Sequence, residues 1–131
     1  MRLWYKRQIH DGIVCVRMAT DNETWIIDAG DAIARKRAAR RPDALSPLER
    51  LIYCLWVADY GMRNAGDLTA ASDLYAAFDI EAVKLSQLLG LGITRSAFAL
   101  SRSELEQQYF QLFDEICDEL RAATDTDRSG C

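Results

Sequence analysis

The sequence predicts a mainly α fold, a compact helical bundle around a central apolar helix at about 47–60, with a small β-hairpin at the N-terminus. Two observations carry this. "SPLERLIYCLWVADY", residues 46–60, joins a helix-start signal to a segment that is apolar on every side. Residues 101–123 repeat their apolar side chains at helical spacing, leaving one polar face.

The elements follow in order. In "QIHDGIVCVRM", Asp11-Gly12 separates two apolar-rich runs and is a favoured two-residue hairpin turn. "IVCV" is short and β-branched, as strands are, and a short helix is the alternative reading. A lone hairpin is marginal, so residues 1–19 form either a hairpin packed on helices or an extended arm. "TDNETWIIDAGDAIARKRAARR" reads as a helix, with Thr20 and Glu23 as a capping-box pair and Trp25, Ile26, Ala29 and Ile33 on one face. Pro42 closes it.

The central helix has Ser46 as N-cap, Pro47 at its first position and Glu49 reaching back. Its apolar residues go all the way round, the mark of a helix surrounded by others. A short helix capped by Asp67 follows, then another capped by Asp79 and stopped by Gly90. "LGITRSAFALS" is a loop or a single helical turn. The last helix starts at Ser101 or Ser103, each three residues before a glutamate, and runs to about Ala123. Residues 1–123 form one helical domain, and 124–131 a polar tail.

The totals bound the class. A chain of 131 residues, half of them hydrophobic, can bury a core as one domain. No apolar run is long enough to span a bilayer, and "MRLWYKRQIHDG" has no apolar stretch of the secretory kind. The four cysteines are far apart in sequence, which predicts no metal site and a reducing, cytoplasmic setting. The net charge of −4 is uneven: nine basic and five acidic side chains over 1–41, seven and fifteen beyond.

The final helix carries the clearest functional signal. Leu105, Tyr109, Phe110, Leu112, Phe113, Ile116, Cys117 and Leu120 share one arc. Glu104, Gln107, Gln108, Gln111, Asp114, Glu115, Asp118 and Glu119 share the other, with Arg121 at its margin. Asp114–Asp118 and Glu115–Glu119 are like-charge pairs, each unfavourable by ~0.2–0.5 kcal/mol. Tolerating that cost fits either a basic protein partner for Glu104, Asp114, Glu115, Asp118 and Glu119, or simple solubility. The basic residues Arg35, Lys36, Arg37, Arg40 and Arg41 likewise read as a phosphate-contacting patch or as cations complementing a helix C-terminus. No nucleic-acid motif accompanies them. The single histidine, His10, has no evident partner, and no phosphate-cradling loop exists, so a non-catalytic protein without cofactor is expected.

Asp59 falls inside the apolar stripe of Leu48, Ile52 and Leu55, where a carboxylate needs a partner. Arg63, Asn64 and the amides near Gly66 are close in sequence. Asp59 therefore either ties down the 61–66 turn, with Gly61 and Gly66 supplying positive φ, or forms a surface site with Arg63 and Asn64.

On these residues, "LSPLERLIYCLWVADYGMRNAG" resembles the start of the helical domain shared by bacterial DNA-mimic proteins and many relatives. The matching positions are Leu45, Ser46, Glu49, Tyr53, Asn64 and Gly66, with Asp59 or Asp67 loosely placed. The family's Asn-Asn-Gly-Gly-Phe turn is replaced by Arg63-Asn64-Ala65-Gly66 with no phenylalanine after it. The resemblance covers a third of the chain, counting the helices after the turn. It implies an α-helical, often dimeric protein without catalysis, whose acidic surface imitates the DNA backbone. Carried over, the 104–119 face would be the mimic, although −4 is a modest charge for that role and the 35–41 segment opposes it. The expected function is capture of a basic protein partner, with an immunity or antitoxin role, or nucleic-acid binding through Arg35 to Arg41, as alternatives.

Overall fold

The computed structural model describes the backbone of residues 4–9, 12–17, 21–39 and 45–127, and the side chains of 21–39 and 45–126. Strands β1 (Trp4–Ile9) and β2 (Gly12–Arg17) precede helices α1 (Asn22–Ala39), α2 (Pro47–Ala65), α3 (Thr69–Leu74), α4 (Phe78–Leu89), α5 (Gly92–Phe98) and α6 (Arg102–Asp127). The body is all-helical. The strands pair antiparallel from Trp4 opposite Arg17 to Ile9 opposite Gly12. Gly12 thus belongs to the ladder and not to the turn, while His10 and Asp11 lie outside the described residues.

Helix α2 is the centre, touching α1, α3, α4 and α6. Ser46 accepts from the Glu49 amide and Glu49 returns the bond to the Ser46 amide, so both halves of the predicted capping box form. The helix outruns the expected end at residue 60, because nothing stops it before Gly66, whose φ of 74° supplies the left-handed cap. It is not enclosed on every side: Tyr60 is 47% exposed and Trp56 half-buried. Its Leu51, Leu55 and Val57 form one core with Trp25, Ile26, Leu105, Tyr109, Ile116 and Leu120.

Several predicted ends shift. The Thr24 amide bonds Asp21, 2.7 Å away, so Asp21 caps α1; Thr20 lies outside the described residues, as does Pro42. Asp67 caps α3 from one position further out, accepting from the Thr69 amide. Helix α4 begins at Phe78, so Asp79 lies within its first turn, where it accepts from the Ile80 amide at 2.9 Å and binds Arg102. Gly90 ends α4 at φ 72°, as expected. Residues 92–98 complete a helix, because Glu119 binds its first amides. Ser101 caps α6, which continues to Asp127, so the first residues assigned to a polar tail are helical.

Two glycines allow close packing. A Cβ on Gly30 would stand 2.6 Å from Trp56 Cβ, where α1 crosses α2. Gly61 is required for the same reason and not for a positive φ: a Cβ there would lie 2.9 Å from the backbone of Asp67 and Ala71. Alanine favours a helix over glycine by about 1 kcal/mol, but the clash at Gly30 outweighs that. Gly30→Ala is expected to lose about 1 kcal/mol net by urea unfolding.

Candidate protein-binding face

The predicted acidic residues occupy one helix, yet the structure gives them different work. Glu119 reaches the start of α5, accepting from the amides of Ile93 (3.0 Å) and Thr94 (2.8 Å) and from the Thr94 hydroxyl (2.7 Å). It therefore supplies the cap that α5 lacks in its own sequence. Asp114 and Asp118 share the Asn22 amide at 2.9 and 3.2 Å, and the Asn22 carbonyl accepts from Arg121. Arg121 lies over the Trp25 ring, so this chain joins α6 to the start of α1. Glu104 accepts from its own capping serine, Ser101. Glu115 has no hydrogen bond or ion pair among the described residues, and none of the five carboxylates pairs with a cation there.

Glu115 stands beside a shallow groove of about 360 Å³ between α5 and α6, lined also by Ile93, Ala97, Leu100, Gln108 and Leu112. No cation lines it. One acid escaped the sequence reading: Glu106 accepts from the Leu68 amide at 2.7 Å and holds the start of α3.

Asp59 is a buried brace beneath an exposed turn. Asp59 is 3% exposed. It accepts from Arg63 Nε at 3.0 Å and from the Tyr109 hydroxyl at 2.6 Å, which ties α2 to α6. Arg63 also meets Glu23 at 3.6 Å and lies over Phe110 and Phe113. Asn64 donates to the Tyr60 carbonyl. Burial holds the Asp59 carboxyl above its ordinary value against the lowering pull of Tyr109 and Arg63, and burial with Asp59 pushes the Tyr109 hydroxyl up. Asp59, Arg63, Asn64 and Gly66 thus each have a structural part in the turn, with Asp59 buried and Arg63 and Asn64 exposed.

The basic cluster is divided as well. Lys36 bonds both oxygens of Glu49 at 3.0 Å. Arg37 stacks over Tyr53 and Tyr75. Both link α1 to neighbouring segments. Arg35 is exposed and, among the described residues, bonds the Asp31 carbonyl alone, and Arg40 and Arg41 lie outside them.

Chemistry elsewhere is sparse. Cys54 and Cys117 are buried free thiols, pushed far up by burial, and so are packing groups. No group of side chains suited to a metal ion occurs among the described residues. No described helix is long and apolar enough to cross a membrane. No family model, curated protein or solved structure matches the chain. The likeness to DNA-mimic proteins therefore rests on residues 45–66 and the helices after them alone.

Proposed function

We propose that the protein is a non-catalytic binding module whose α6 face captures a basic protein partner. The observation that carries this is the contrast between its carboxylates. Asp59, Glu49, Asp79 and Glu81 each meet an arginine or lysine of the chain. Glu104 and Glu115 are exposed and meet none among the described residues, on a helix with six acids and no cation between 104 and 119. Unpaired charge of one sign speeds encounter with the opposite sign and selects against like-charged partners. A regulator that occupies a DNA-binding protein, as the family resemblance implies, is one such module, and an antitoxin is another.

Immobilised protein should retain basic proteins from a lysate of its host, with retention falling as salt screens the contact. Duplex DNA added in excess should release them if the partner's site is one for DNA. A retained set no more basic than the lysate itself would contradict the reading. Binding of DNA through Arg35 to Arg41 is disfavoured, because Lys36 and Arg37 are already engaged inside the fold.

A further inference from the structure

We infer that the groove between α5 and α6 seats one amphipathic helix of the basic partner, apolar side inward and cations over Glu104 and Glu115. This rests on the binding reading above and adds the place and the shape of the occupant. The floor is apolar: Ile93 is 45% exposed, and Ala97, Leu100 and Leu112 lie beside it. A Cβ on Gly92 would meet nothing within 4 Å, so the floor is open at that end.

The charges frame this floor. Glu104, Gln108, Leu112 and Glu115 follow one another at spacings of four, four and three, which places them along one stripe of α6. Gln108, Leu112 and Glu115 line the groove, and Glu104 continues the stripe one turn beyond it. The two glutamates are about 16 Å apart along the helix axis, or three turns. A partner helix lying along α6 would therefore need lysine or arginine near both ends and leucine-like residues between. Arg95 is absent from the lining, so no cation of α5 opposes this arrangement.

A helix fits these walls better than an extended segment. Both walls are helices, whose backbone groups are bonded internally. They offer no sheet edge for an added strand, whereas a helical ligand brings its own backbone bonds satisfied.

The test uses a fluorescein-labelled peptide of about four helical turns, made of Leu, Ala and Lys with the leucines on one face and lysines at both ends. A scrambled peptide of the same composition is the comparison. Anisotropy should give about tenfold tighter binding for the amphipathic peptide, the effect of burying one or two apolar side chains. Ile93→Ser should remove that preference, Glu115→Lys should weaken both peptides, and Asp73→Lys, an equal charge change away from the groove, should spare the preference. Equal binding of the two peptides, or a preference untouched by Ile93→Ser, would overturn the groove while leaving capture of basic proteins standing. Sedimentation provides the other arm. Self-association abolished by Ile93→Ser would make the groove a contact between two copies and likewise overturn the inference.

Discussion

Arg63→Ala will destabilise the protein by about 3 kcal/mol near neutral pH, the low end of the range for breaking a buried ion pair. The low end applies because the Arg63 side chain keeps 27% of its exposure, whereas that of Asp59 keeps 4%. Removing the guanidinium leaves a buried carboxylate held, among the described residues, by Tyr109 alone. The sign of the pH dependence follows from Asp59, whose folded value lies above its ordinary 3.8. The folded state then holds the proton more tightly than the unfolded chain, so the Asp59 contribution is complete below 3.8 and falls as pH rises through the folded value. Without Arg63 that folded value climbs further, and the loss extends to higher pH. Urea unfolding of both proteins at about pH 4.5 and about pH 7.5 should therefore show a difference that grows with pH. A difference independent of pH would place the role of Arg63 in its packing over Phe110 and Phe113 instead.

Glu119→Ala is expected to cost about 2 kcal/mol, because one ionised carboxylate satisfies three donors at the start of α5. Glu115→Ala, one turn away and without a partner among the described residues, should stay within about 0.5 kcal/mol. Thermal unfolding separates them, and amide exchange at Ile93 and Thr94 should accelerate in the Glu119 variant alone. Equal effects would mean that Glu119 is a solvated charge like its neighbour. The distinction governs how the binding face can be tested. Reversing Asp114, Glu115, Asp118 and Glu119 together would uncap α5 and release Asn22 along with the charge. Glu104 and Glu115 can be changed without taking a bond from a neighbouring segment.

What the sequence showed depended on the range of each interaction. Ser46, Pro47 and Glu49 act within one turn, so the start of α2 was legible. The arc from Leu105 to Leu120 was legible for the same reason, since periodicity is local. Phe110 departs from it, 54% exposed beneath Arg63, because it sits at the arc's edge. Helix α5 was not legible. Its N-terminal cap comes from Glu119, about 25 residues later, and no local pattern announces that. Glu106 at the Leu68 amide is a second case, with 38 residues between the partners. Asp59 and Tyr109 each carried half of a signal. A carboxylate in an apolar stripe needs a donor, and a buried tyrosine needs an acceptor for its hydroxyl. Sequence alone marked both residues but could not match them across 50 positions. The acidic face was visible as composition, while its division into bracing and unengaged carboxylates required the positions of α1 and α5.

The most direct measurement is capture from a host lysate by the wild-type chain and by the Glu104→Lys, Glu115→Lys double variant, with helix content checked by circular dichroism. The account predicts unchanged helicity and loss of the basic proteins retained by the wild type. Retention of the same proteins by both chains would contradict it.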